Sequence, residues 1–354
     1  MKNENQFIKQ LDGLRFLAVA GVMTSHFVHF ENIYLQRIPF GYGVNMFFVI
    51  SGFLITQILL KNKEAITSGE LFPGRAIKNF FARRSLRIFP IYYLTILLLY
   101  VSHFQNTHDV FGWVVSYTVN IYLSLDKPYI GAFNHLWSLA VEEQFYLIWP
   151  FLILFISKSK LPVLIYGTII LSIAFKLILF LIAGWTTAIN AFTMSCGDSL
   201  GMGALIAYWR IYDKHKLHLV NRNTWLLYSS ILLFFVFMVF PRPTPIISMI
   251  FGNTLFSLFA FFVVSKASED NFSGTMKLLL ENKIAQHFGK ISYGIYLYHF
   301  FTPDLYNYMV DQYPPLGNVD TGKVFIFMFL SVVIAEFSWV LVEKPLVALK
   351  SKFC

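Results

Sequence analysis

The chain reads as long apolar stretches broken by short polar punctuation. About ten runs approach the ~20 residues that carry a helix across hydrocarbon: 14–30, 40–60, 89–105, 138–156, 162–182, 190–209, 224–240, 246–265, 291–310 and 323–342. The pattern predicts an all-α, polytopic membrane protein with about ten transmembrane helices. Two connections are longer than the rest. The segment 61–88 is basic and reads as an amphipathic hairpin. The segment 106–137 holds an aromatic stretch, Trp113 to Tyr122, that is short for a span and suits the interface or a partial dip. No repeat, low-complexity tract or composition shift marks a second unit. The expectation is one integral-membrane domain over 1–354 with short tails, 1–10 and 346–354, and no soluble hydrolase-like domain after the last helix.

Composition sharpens this. Of 354 residues, 56% are hydrophobic and only 13% charged, too few charges for a soluble chain of this length to cover its surface. With 20 Gly, 13 Pro and 2 Cys, disordered, collagen-like and disulfide-rich classes fall away. With the N-terminus placed in the cytoplasm and the sides alternating, most of the 28 basic residues fall on inner segments. Arg37, Lys127, Arg242 and Lys323 stay outside, and Lys176 lies within a span. This obeys the positive-inside tendency and puts both termini in the cytoplasm. The net charge of +9 is thereby explained without nucleic acid. Anionic lipid headgroups or an anionic cytosolic ligand remain partners it could serve. The first run, interrupted by Arg15 and His26 and lacking a small-residue cleavage site, reads as an uncleaved helix. Cys196 within a span and Cys354 at the end offer no disulfide framework.

Ionisable residues inside spans are costly and usually face a cavity or a partner. Arg15 and His26 stand 11 positions apart, about three helical turns, so they share a face ~16 Å apart along the axis. A snorkelling anchor and an interhelical hydrogen bond are the plain alternatives for the two, and His29 reads as interfacial. GYGVNMFFVISGF supplies Gly41, Gly43, Ser51 and Gly52, which permit close helix approach or unwinding around a ligand. ARRSLRIFPIYY sets Arg83, Arg84 and Arg87 ahead of Pro90, which suits the first turn of a span. Forked guanidinium donors in such a cluster bind phosphates, or merely flank a span. In NHLWSLAVEEQFYLIWP two carboxylates adjoin. Glu142 is favoured over Glu143 because it lies seven residues from both His135 and Trp149. SCGDSLGMGA places Asp198 within the sixth run, and GKISYGIYLYHF places Tyr296 and His299 in the ninth. Lys176 and Glu336 receive no role, and no metal site is expected.

Taken together, LDGLRFLAVAGVMTSHF, GVNMFFVISGF, RRSLRIFPIYY, HLWSLAVEEQFYLIWP, GDSLGMGALIA, ISYGIYLYH and VEKPL resemble, in order, the membrane acyltransferase-3 family of bacterial O-acyltransferases that modify surface glycans. The resemblance implies about ten helices in the cytoplasmic membrane and an acyl-CoA, by default acetyl-CoA, used as a cosubstrate rather than a tightly bound cofactor. It implies a glycan or lipid-linked sugar acceptor. Arg15 and His26 carry over as the essential first-helix pair, Arg84 and Arg87 as CoA contacts, and Glu142 as the carboxylate of its motif. Arg83, Ser51 and Gly52 are expected to join the acyl-CoA site. His135, Glu143, Asp198, Tyr296 and His299 are expected to line the acceptor site or cavity. Asn45 stands where many members have Asp, and Cys196 where many have Arg. The mechanism expected is His26 as general base on the acceptor, oriented by Glu142. A ping-pong variant would park the acyl group on His26 or Ser51. Two other classes fit the intramembrane ionisable residues: a transporter or flippase for an anionic or glycolipid substrate, and a membrane sensor using His26 and His299.

Overall fold

A computed structural model describes residues 8–28, 40–125, 130–184, 186–239, 245–312 and 322–349. His29, Arg37, Lys127, Arg242 and Cys354 lie outside them. The described residues are helical throughout, without a strand. In chain order the helices are α1 (Lys9–Phe27), α2 (Gly43–Thr67), α3 (Pro73–Val101), α4 (Thr107–Val115), α5 (Val119–Ser124), α6 (Trp137–Phe155), α7 (Leu161–Ala183), α8 (Ala188–Ala191) and α9 (Gly197–Tyr212). Then follow α10 (Lys214–Arg222), α11 (Thr224–Val239), α12 (Pro245–Ser268), α13 (Gly274–Glu281), α14 (Lys283–Tyr298), α15 (Thr302–Gln312), α16 (Lys323–Ser338) and α17 (Lys344–Ala348).

Among the described residues, 6 helical stretches are long and apolar enough to cross a membrane: Phe40–Thr67, Pro73–Val101, Gly131–Phe155, Lys158–Ala183, Phe251–Ser268 and Lys323–Ala348. Their outer faces expose Leu97, Leu98, Ile170, Leu171, Ile182, Phe325 and Phe329. Contiguous apolar surface of this kind suits lipid, not water. The remaining apolar runs fall on shorter or more polar helices, and the reason is position. α1, α9 and α14 sit in the middle: α1 packs on α14 and α2, and α9 packs on α2 and α7. Protein covers them on most sides, so they can carry the polar residues that a lipid-facing helix cannot.

Close packing at the centre depends on glycine. A methyl group on Gly52 would overlap the Leu200 carbonyl of α9, and one on Gly203 would overlap the Val49 carbonyl of α2. Gly52 is therefore spent on the α2–α9 crossing, which corrects its expected place in the acyl-CoA site. Ion pairing ties the same core together. Lys176 Nζ of α7 meets Asp198 Oδ2 of α9 at 2.5 Å, both side chains 1% exposed. Thr254 of α12 accepts from Lys176 at 2.9 Å and donates to Asp198 at 2.6 Å.

Three boundaries differ from the sequence expectation. Pro90 does not begin a span: α3 starts at Pro73 and runs through it, because the basic segment before it is helical already. Asp198 lies in the first turn of α9, since a 3₁₀ turn over Thr193–Cys196 breaks the sixth run. His299 closes α14 instead of lying inside one continuous span over 291–310, because that helix begins at Lys283. The 61–88 segment is a helical hairpin, and Trp113 to Tyr122 forms parts of α4 and α5. Lys63, in the basic segment 61–88, is buried. Its Nζ donates to the carbonyls of Ile153, Leu154 and Ile156 at 3.0, 2.9 and 2.6 Å, satisfying the groups that the C-terminus of α6 leaves unpaired.

Candidate active site

Two polar constellations sit along the inner faces of α1, α2, α3, α6 and α14. The first is a cavity of about 80 Å³, by the same measure room for several waters. Arg15, Arg84, Arg87, Ser51, Glu142 and Tyr146 give it polar walls, while Val44, Phe47, Leu139 and Tyr293 give it apolar ones. α1 contributes Arg15 and holds it in place: Nη1 donates to Asp12 Oδ1, one turn earlier, at 2.6 Å. α3 presents Arg84 and Arg87 three residues apart, and the Arg84 guanidinium lies over the Tyr146 ring, 5.5 Å from its centroid. Ser51 Oγ donates to Glu142 Oε1 at 2.6 Å. Three guanidinium groups against few carboxylates make a concave site of net positive charge, suited to a phosphate-bearing ligand.

The second constellation is a pair of imidazoles where α1 and α14 end. His26 Nδ1 and His299 Nε2 are 3.0 Å apart, with ring centroids at 5.1 Å, and Phe300 stands edge-on to His26 at 4.6 Å. His26 is exposed, whereas His299 is 0% exposed. His299 Nδ1 lies 2.6 Å from the Tyr296 carbonyl oxygen. A carbonyl only accepts, so Nδ1 carries the proton, and neutral His299 keeps a lone pair on Nε2. His26 Nδ1 must then donate to it. That assignment, which follows from the hydrogen-bond network, leaves the lone pair of His26 on Nε2. The dyad is thus a pair of imidazoles whose tautomers are fixed from behind.

Between the two lies a layer of hydroxyls. Ser138 Oγ and Tyr296 Oη are 2.5 Å apart, and both reach the His135 carbonyl oxygen, at 3.2 and 3.1 Å. The His135 nitrogens face the carbonyls of Ala132 and Leu297 at 3.0 and 3.1 Å.

Several expected residues therefore come together, though not in the expected pairs. Arg15, Arg84, Arg87, Ser51, Glu142 and Tyr296 line one cavity. His26 does not line it. Glu142 does not orient His26, because its carboxylate is turned to Ser51 on α2; His299 does that work. Glu143, about 100° round α6 from Glu142, is off the cavity wall, as is Arg83. His135 and His299 are buried behind Tyr296. Asp198 is in the ion pair described above, away from both constellations. Asn45 donates to Ser199 and Ser257 at 3.3 and 3.4 Å, and the Cys196 thiol donates to the Asn190 carbonyl at 3.2 Å. Glu336 pairs with His287 at 2.8 Å on the surface. Asp12, Ser138 and Tyr146 are additions. The i, i+3 spacing of Asp12 and Arg15 was a readable signal for the first. The other two depend on contacts between helices. No cluster of metal ligands occurs among the described residues.

A family model for an acyltransferase domain matches residues 8–341. A Staphylococcus aureus protein provisionally named an O-acetyltransferase is 29% identical over 367 residues, covering 96% of this chain and 57% of that protein. The peptidoglycan O-acetyltransferase OatA of Listeria monocytogenes is 26% identical over 366 residues, covering 96% and 56%. The O-acetyltransferase OatA of Staphylococcus aureus is 26% identical over 369 residues, covering 96% and 57%. The chain thus spans little more than half the length of these relatives. No solved structure matches it.

Proposed function

The chain belongs to the membrane acyltransferase-3 family, and on that premise we propose that it is a bacterial cytoplasmic-membrane O-acetyltransferase. It takes an acetyl group from cytosolic acetyl-CoA and passes it to a hydroxyl of a cell-envelope glycan or lipid-linked sugar. The names of the relatives support acetyl as the group, and the Listeria relative's name supports a cell-wall glycan as the acceptor class. The topology that goes with this reading has about ten crossings and both termini inside. It sets the arginine cavity toward the cytoplasm and His26 toward the far side.

The observation that carries the reading is the His26–His299 dyad, an exposed imidazole with its lone pair on Nε2, on the same helix as the Arg15 of the basic cavity. Arg15, Arg84 and Arg87 take the phosphates of CoA. Its pantetheine arm is about as long as the ~16 Å between Arg15 and His26 along α1. His26 Nε2 removes the acceptor hydroxyl proton as the oxygen attacks the thioester carbonyl. The C–S bond breaks, and the proton passes from the imidazolium to the leaving thiolate. The imidazolium is stabilised by its bond to His299. Glu142 belongs to the donor cavity, where it fixes Ser51. The test is purified full-length protein in nanodiscs, given acetyl-CoA and soluble peptidoglycan fragments, with thiol release and acetylated product followed together. His26→Ala abolishes transfer while acetyl-CoA still binds. Undiminished transfer by that variant overturns the assignment.

A further inference from the structure

His26 is not among the residues that line the donor cavity, so protein separates the cavity from the exposed base. Part of that wall is the Ser138–Tyr296 hydroxyl pair, 2.5 Å apart, with both oxygens in hydrogen-bond reach of one backbone oxygen, the His135 carbonyl. Ser138 and Tyr296 face the cavity on one side. On the other, the Tyr296 ring centroid stands 5.3 Å from that of His299. Both residues are buried, at 3% and 6% exposed. This part of the wall is built from side-chain hydroxyls and not from helix backbone, so it can open by rotation of one tyrosine without unwinding either helix.

A wall at this place has a chemical reason to exist. An exposed imidazole that deprotonates a sugar hydroxyl also deprotonates water. Water would then add to the thioester carbonyl, the C–S bond would break, and acetate and free thiol would leave with the acetyl group lost. An enzyme with its base open to one side of the membrane must withhold the thioester until an acceptor displaces water.

We infer that Ser138 and Tyr296 form a hydroxyl latch that decides between transfer and hydrolysis: closed, it holds the acyl arm on the arginine side of the dyad. This rests on the acetyl-CoA reading above. Tyr296 is also a positioning residue for the dyad, because its backbone carbonyl fixes the His299 tautomer while its side chain closes the latch.

The experiment measures thiol release from acetyl-CoA by full-length protein in nanodiscs without any acceptor, alongside binding of a fluorescent CoA analogue. Wild type releases thiol slowly. Tyr296→Phe keeps the ring and loses the hydroxyl, and Ser138→Ala loses the other; each raises acceptor-free release several-fold at an acetyl-CoA concentration that saturates the variant. Ser138→Thr, which keeps a hydroxyl, releases thiol more slowly than Ser138→Ala. Adding His26→Ala to Tyr296→Phe removes the gain, an effect that loosened packing alone would not produce. The latch is overturned if Tyr296→Phe and Ser138→Ala hydrolyse no faster than wild type while still binding CoA, or if the gain persists without His26. A wild type that binds no CoA analogue fails the donor reading instead, so the two failures are told apart.

Discussion

Replacing His299 tests the dyad without touching the residue that meets the acceptor. In His299→Leu the lone pair that receives His26 Nδ1–H is gone. His26 is then free to carry its proton on Nε2, the wrong nitrogen, and the imidazolium formed during transfer loses its hydrogen bond. A hydrogen bond to a charged group is worth about 1.5–3 kcal/mol, and each ~1.4 kcal/mol is tenfold in rate. The expected fall in kcat is therefore on the order of 10- to 150-fold. That is less than the loss of the base itself, for which 10²- to 10⁴-fold is typical (roughly). His299→Gln places a carboxamide oxygen near the old Nε2 and recovers part of the activity. Because His299 is outside the arginine cavity, KM for acetyl-CoA stays close to wild type in both variants. Steady-state thiol release against acetyl-CoA concentration, at saturating acceptor, separates the two parameters. A Leu variant with wild-type kcat refutes the tautomer argument. So does a Gln variant no better than Leu, provided both proteins elute as monodisperse species.

Two further outcomes follow from the geometry. On the proposed donor site, Arg84→Ala with Arg87→Ala raises KM for acetyl-CoA by at least tenfold and lowers kcat little at saturating donor; an unchanged KM argues against that role. Lys176→Met leaves Asp198 as a buried, unmatched carboxylate and costs about 3–5 kcal/mol. The double change Lys176→Met and Asp198→Asn recovers much of it, as read from thermal unfolding in detergent.

What was legible in the sequence was what one helix can carry. Arg15 and His26 share a face because the helical period says so, and Arg84 and Arg87 because they are three apart. The span pattern was legible for lipid-facing helices, whose outer surface has to be apolar. It blurred for α9 and α14, which protein shields, so the depths of Asp198 and His299 were misjudged. Partners across helices were not legible. Ser51 meets Glu142 across 91 positions, and His26 meets His299 across 273. Pairings of that separation are set by how α1, α2, α6 and α14 cross, which no local pattern records. The carboxylate nearest in motif was therefore a natural but mistaken choice as the partner of His26. Gly52 was recognised as permitting close approach, yet the neighbour turned out to be a backbone and not a ligand.

Lys63 has a consequence for anyone who engineers orientation in this bilayer protein. In the orientation expected from the sequence, its ammonium counts toward the cationic bias of the inner segments, and it also stoppers the helix that carries Glu142 and Ser138. Removing it to invert the insertion would fray the last turn of that helix as well, so a dead product would not reveal which event killed it. Arg75 or Lys78, on the exposed first turns of α3, offer the cleaner handle, because their charge can be altered without uncapping anything.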